Sequence, residues 1–134
     1  MLLNFMNKIL IEVSIGELLD KISILEIKKK KIKDVEKLKF INDEYSVLKE
    51  QLDKNVKSSE KLDKLFQSLK EINSNLWLIE DDKRLCEKNS DFGDKFIKLS
   101  REVHFLNDNR SKVKLEINNQ TGSKIKEIKE YTKY

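Results

Sequence analysis

From Leu62 onward, apolar residues return at alternating intervals of three and four: Leu62, Leu65, Leu69, Ile72, Leu76, Ile79 and, beyond Lys83, Cys86. That spacing keeps one stripe on one side of a helix and is incompatible with the two-residue period of a strand. It recurs in Leu38, Ile41, Tyr45, Leu48 and Leu52, and again in Phe96, Leu99, Val103, Leu106, Val113 and Ile117, with Arg110 inside the run. A narrow stripe is buried only against other stripes, so the chain must fold as helices packed side by side at about 20° with knobs-into-holes contacts. The sequence has no Pro, three Gly, 38% hydrophobic and 39% charged residues, which suits long helices with one buried and one solvated face. It is too apolar and too periodic for a disordered chain.

Boundaries follow from capping chemistry. Ser14 and Glu17 have capping-box spacing, with Val13 and Leu18 placed as a hydrophobic staple. The first stripe then runs Ile15, Leu18, Leu19, Ile22, Leu25 and Ile32, while Ile24 and Ile27 lie on the far side and imply cover on a second face. The cations Lys28–Lys33 favour a helix C-terminus, and Asp34 can cap the next helix. No Gly or Pro marks that break, so one continuous bent helix competes with a hairpin; the loss of register favours the hairpin. Ser58 and Ser59 are candidate caps for the third helix, and 89–93 makes the next turn.

The expected fold class is all-α: an antiparallel helical bundle of two long helical hairpins with coiled-coil-like packing. A short N-terminal segment, 1–13, precedes a single helical domain, 14–134, with helices near 15–33, 35–55, 60–88 and 93–118. Residues 124–131 form a short final helix capped by Ser123, or an extended tail packed on the bundle. Met6 is an alternative start, which would make the first five residues dispensable.

Several functional classes are excluded or disfavoured. One cysteine, Cys86, precludes an intramolecular disulfide, and a buried structural thiol fits its stripe position; a reducing, cytoplasmic setting is expected. No segment approaches the ~20 apolar residues of a membrane span, and the N-terminus lacks a signal-peptide pattern. The net charge of +4 arises from 28 basic residues interspersed with 24 acidic ones, which argues against nucleic acid as the partner. There is one histidine, His104, too few with Cys86 for a zinc site, and no phosphate loop or nucleophile elbow. No catalytic residue, metal ligand or cofactor is assigned.

The stripes themselves are interrupted. At about 100° per residue, Glu26 falls inside the apolar face of the first helix, with Lys29 one turn on. Glu80, Lys83 and Glu87 overlie the third stripe, with Arg84 at its edge beside Trp77. Asn107, Arg110 and Lys114 continue the face of Phe96, Leu99 and Val103. Pairing the third and fourth helices about residue 90 sets Asn73 opposite Asn107 and Glu80 opposite Ser100 or Arg101. Only three of the 28 cations are Arg (Arg84, Arg101 and Arg110), and Arg supplies a planar fork that Lys lacks. Buried charges must pair, reach water or hold a ligand. Register-fixing ion pairs, a polar pocket with Arg84 and Arg110 as anion forks beside Glu26 and Glu80, and open bundle ends all satisfy that demand.

Three stretches carry a resemblance: Val13–Lys28 (VSIGELLDKISILEIK), Leu76–Asp81 (LWLIED) with Arg84, and Arg101 through Leu106-Asn-Asp-Asn-Arg110 with Lys114 and Ile117-Asn118. Together they resemble a family of small uncharacterised all-helical proteins of bacteria and phages. The resemblance implies that Glu17, Asp20, Lys21, Glu26, Glu80, Asp81, Arg84, Arg101, Asn107, Asp108 and Arg110 belong to a shared pattern. It also implies a turn near 33–36 and an association with sugar-transferring and cell-surface glycan proteins. The candidate ligand-binding seam is therefore Lys21, Glu26, Glu80, Arg84, Arg101, Asn107, Asp108, Arg110 and Lys114.

The expected role is non-catalytic: a bundle whose polar seam recognises a partner protein or an anionic small molecule. The alternatives are a small helical enzyme acting on a phosphorylated or carboxylated metabolite, with Glu80 or Glu26 as acid/base, and a structural coiled-coil adaptor. A homodimer that completes the core is also open.

Overall fold

The computed structural model describes residues 7–134. The start at Met6 and the first part of the 1–13 segment lie outside the described residues. Lys8–Val13 has no regular structure and leaves Ile9, Leu10 and Ile11 exposed.

Four helices follow: α1 (Ile15–Lys31), α2 (Val35–Asn55), α3 (Glu60–Lys88) and α4 (Asp94–Thr121). Ser14 caps α1 by accepting the Glu17 amide at 3.0 Å. Only half of the expected capping box forms, because the Glu17 carboxylate is drawn to Lys114 Nζ at 2.7 Å. Four lysines in the last turn of α1 face the negative end of its dipole. The chain then turns extended at Ile32, and Asp34 caps α2 by accepting the Lys37 amide at 3.2 Å. The first pair is thus a hairpin and not one bent helix. Ser59 caps α3 through the Leu62 amide at 3.1 Å. At the end of α3, Ser90 takes a left-handed backbone (φ 53°) while Ser90 N and Asp91 N donate to Glu87 O and Cys86 O. That is a Schellman closure with serine where glycine is usual.

α4 runs three residues past the expected end at 118. Its last turn is held from outside: the Asn118 side chain accepts the Gly16 amide at 2.7 Å. Gly122 (φ 67°) then ends the helix in the left-handed region. The expected helix at 124–131 does not form. Ser123 instead ties the chain back to α1, its hydroxyl accepting the Ile15 amide and donating to Ile125 O. Residues 123–134 instead run as an extended strap back along α4, the tail alternative, with Lys126 reaching Asn119 and Tyr134 reaching Asp108.

α1 is the central helix. It packs on α2, α3 and α4; among the described residues the α2 backbone lies close to that of α1 and of no other helix, and α3 and α4 form the most extensive pair. Buried Leu19, Leu62, Leu69 and Ile117 form the main core, lined by Ile15, Leu52, Val56, Leu65, Phe66 and Val113. A second cluster of Ile79, Cys86 and Leu99, with Phe96, Val103 and Leu106, lies farther along the α3–α4 hairpin and draws on no other helix. Both faces of α1 are covered, since Ile27 is buried along with Leu18, Leu19, Ile22 and Leu25. The result is an all-α helical bundle. Among the described residues, no helix is long and apolar enough to cross a membrane.

Candidate functional site

The polar residues gather where α1 crosses α4. Gly16 permits the contact: a Cβ there would stand 2.6 Å from Lys114 O and 2.9 Å from Asn118 Oδ1. That close approach brings Asp20, one turn along α1, against Arg110. The Arg110 fork donates from Nε to Asp20 Oδ1 at 3.0 Å and from Nη2 to Oδ2 at 2.6 Å. Asn73 of α3 donates to Asp20 Oδ1 at 2.9 Å and to Ser23 Oγ at 2.8 Å, while Ser23 Oγ donates to Asp20 O. Asp20 is 1% exposed, and all three helices contribute to its enclosure.

Lys114 is the second centre. Its buried ammonium donates to Glu17 Oε2 at 2.7 Å and to Glu127 Oε2 of the strap at 3.0 Å, and stands 3.7 Å from Asp20 Oδ2. Among the described residues, no buried side-chain nitrogen or oxygen lacks a partner. The inner seam is therefore closed upon itself, as a network that fixes register requires.

Electrostatics follow from this wiring. Burial pushes the Asp20 carboxyl up, but hydrogen bonds from Arg110 and Asn73 and the charges of Arg110 and Lys114 outweigh it, leaving the pKa below the usual carboxylate value. The bond to Asp20 raises Arg110. Burial alone would lower Lys114, yet Glu17, Glu127 and Asp20 leave it raised. Glu127 is lowered, first by its bond to Lys114. These shifts hold Asp20, Arg110, Lys114 and Glu127 in their charged forms. A carboxylate held this firmly ionised is unsuited to general acid work.

The outer side is open. Glu17, Asp20, Asn107, Arg110, Ser111, Lys114 and Lys129 line a cleft of about 220 Å³. Arg110 keeps 29% of its side chain exposed, and its Nη1 has only a 3.4 Å bond to Asn107 Oδ1.

Of the expected seam, the structure brings together Asn107, Arg110 and Lys114. Asp108 lies nearby on α4 and accepts the Tyr134 hydroxyl. The rest are elsewhere. Glu26 pairs with Lys70 at 2.9 Å, and Lys29 lies over the Tyr45 ring. Lys21, Glu80, Arg84 and Arg101 are exposed, and among the described residues none of the four joins a salt bridge. Arg101 lies against Phe105 instead. The pocket pairing Arg84 with Arg110 and Glu26 with Glu80 is thus not assembled, because the third-helix charges lie on the solvent side of the hairpin. Glu80 stands in solvent, while Glu26 is half-buried and paired with Lys70, apart from Arg110. Asn73 donates to Asp20 and Ser23, a different partnership from the Asn107 pairing expected of it.

Sequence reasoning passed over Asp20 as a site residue, and with it Ser23, Asn118 and Glu127. A signal was present for the first two. At about 100° per residue, Gly16, Asp20, Ser23 and Ile27 share one face of α1, a small-and-polar stripe suited to close helix contact. Nothing local marks Glu127, which reaches Lys114 only through the fold-back of the strap.

Fold and site together define a class: an all-α bundle whose central helix is docked through a buried ion-pair seam. Residues 9–134 match the family model described as a family of unknown function, DUF6165, and the chain belongs to that family. No curated protein and no solved structure matches it.

Proposed function

We propose that the chain is a non-catalytic binding protein, and that the α1–α4 cleft takes an anionic group, a carboxylate or phosphate, on a small molecule or partner. The carrying observation is Arg110. Two of its nitrogens are spent on buried Asp20, which orients the fork, while Nη1 has a long 3.4 Å bond to Asn107 and both Arg110 and Lys114 line the cleft. An oriented guanidinium loses little freedom on binding a second anion. Asn107 and Ser111 supply neutral hydrogen-bonding groups at the same wall.

Thermal-shift and calorimetric titration with nucleotides, sugar phosphates and nucleotide sugars tests this reading. Binding of at least one phosphorylated compound is expected, weakened at least several-fold in the Asn107→Ala, Ser111→Ala double variant while helicity by circular dichroism stays unchanged. The absence of any ligand-induced shift across the panel sinks it.

A second reading, an adaptor that docks a partner through the α3–α4 hairpin, is favoured by half-exposed Leu78 and Leu85, seven residues apart on one face. It predicts concentration-dependent association in sedimentation velocity. A strict monomer at all concentrations argues against its self-association form.

A further inference from the structure

The strap is held unevenly. Its root is fixed: Ser123 is buried and its hydroxyl accepts the Ile15 amide. Beyond the root, apolar burial almost vanishes, with Ile128 75% and Tyr134 79% exposed. The remaining attachments are the solvent-exposed Lys126–Asn119 bond, the Glu127–Lys114 bond, the Tyr134–Asp108 bond, and the packing of the Tyr134 ring on His104 and Phe105. The Lys126–Asn119 and Tyr134–Asp108 bonds are solvent-exposed and contribute little to stability, which leaves the half-buried Glu127–Lys114 bond as the main fastening beyond the root. A gap of about 170 Å³ also remains between the strap (Glu127, Ile128, Lys129) and α4 (Ser111, Lys112, Leu115).

The strap is therefore secured at its root and only lightly fastened along its length. Near its root, Glu127 sets one carboxylate oxygen 3.0 Å from the buried ammonium of Lys114, which lines the cleft together with Arg110, and the other 3.3 Å from Lys129 of the strap itself. This is the interaction that an external carboxylate or phosphate would make there. Lys114 keeps Glu17 and Asp20 as neighbours if Glu127 leaves, so the exchange does not strand a buried charge.

We propose that residues 126–134 act as a tethered competitor at this cleft: Glu127 holds the place of the ligand's carboxylate or phosphate group, and ligand binding releases the strap. The proposal rests on reading the cleft as an anion site. It gives that site a regulatory property, because a tethered group competes at high local concentration and sets a threshold that a ligand must exceed.

The single histidine makes the test clean, since Tyr134 stacks edge-on against His104 with ring centroids 5.3 Å apart. Full-length wild type and Glu127→Gln are titrated with pyrophosphate and, separately, with glutarate at constant ionic strength. Affinity is read by calorimetry, and strap position by the His104 ring-proton signals in NMR, with Tyr134→Ala marking the released position. The expected result is binding about two- to fivefold tighter in Glu127→Gln, with wild-type His104 signals moving toward those of Tyr134→Ala on saturation. Whichever probe saturates distinguishes a phosphate site from a carboxylate site. Equal affinity in the two proteins, or His104 signals that stay fixed at saturation, overturns strap competition while leaving the cleft as an anion site. Failure of both probes to bind either protein overturns the anion reading itself.

Discussion

The two ends of the α3–α4 hairpin are built from the same heptad spacing and reach opposite solutions. Near Asn73 and Arg110, α1 lies across the hairpin and the stripe positions carry polar groups, each matched by a partner from another helix. Around Ile79, Cys86 and Leu99, no other helix contributes and the buried positions are apolar, while Glu80, Arg84 and Glu87 stay in solvent. Charged stripe residues are fully buried only where a third helix brings the complementary charge; at the other end Lys83 is half-buried over the Phe96 ring. Where no third helix arrives, the hairpin rotates them outward and packs the neighbouring apolar row. The cost of burying an unpaired charge decides between the two.

The sharpest way to break the contrast is to remove the hub of the polar end. Asp20→Ala leaves Arg110 and Lys114 with too little counter-charge, and breaking a buried pair of this kind costs about 3–5 kcal/mol. Urea denaturation checks it, and a loss under about 1 kcal/mol would reclassify the seam as surface decoration. The same residue gives a pH signature. The Asp20 carboxyl is held below its ordinary value in the folded chain, so its contribution is complete above the unfolded value near ~3.9 and is lost as pH falls through the lower folded one. Lys114 acts oppositely: its raised pKa gives a contribution that is complete below the unfolded lysine value and lost as pH rises through the folded one. Stability measured against pH should therefore fall at both extremes in wild type, and the acid limb should flatten in Asp20→Asn.

Next in size is Gly16→Ala. The added methyl would meet the Lys114 carbonyl, a backbone atom that cannot swing aside, and would crowd the Asn118 side chain that binds the Gly16 amide. A loss of about 2 kcal/mol is expected, with hydrogen exchange accelerated in α1 and unchanged around Ile79 and Leu99. Acceleration spread evenly over the hairpin would show that the two ends unfold together.

The apolar end has its own test. Leu99→Ala removes a buried side chain from a cluster of three, for about 2 kcal/mol, the lower end of the usual range, because a two-helix layer can partly collapse onto the space. Exchange should accelerate at residues near 79–106 and leave the α1–α4 contact protected.

How much of this was readable in advance depended on the range of the interaction. Helix identity, the Ser14, Asp34 and Ser59 caps and the burial of Cys86 are set by residues within a turn or two of each other, and the stripes disclosed them. The all-α bundle followed from the same pattern. The partner of Asp20 was not disclosed, because a helical wheel shows which way a residue faces and not what arrives there. Arg110 lies 90 residues away and Glu127 enters only through the strap. The sequence also treated Glu80 and Arg110 as equivalent interruptions of a stripe. Their fates diverge through the reach of α1, a helix of 17 residues crossing a hairpin whose helices have 29 and 28.

The smallest expected effect tests that divergence directly. Arg84 is the fork that sequence reasoning ranked beside Arg110. Its side chain is exposed and joins no salt bridge among the described residues, so Arg84→Ala removes no buried contact. Glu80→Gln likewise discharges a solvated carboxylate. Each should change unfolding free energy by less than about 0.5 kcal/mol, against several for Asp20→Ala, and a double variant should depart from additivity by no more than the few tenths of a kcal/mol of an i,i+4 pair. If either change instead weakens association with a partner while leaving stability untouched, the outward charges of the apolar end are an interaction surface. The hairpin then has two polar faces with separate duties: an inner one that docks α1 and an outer one that meets another molecule. A stability loss above about 1 kcal/mol from Arg84→Ala would instead mean that the far end holds a charge network of its own, and the contrast between the two ends would collapse.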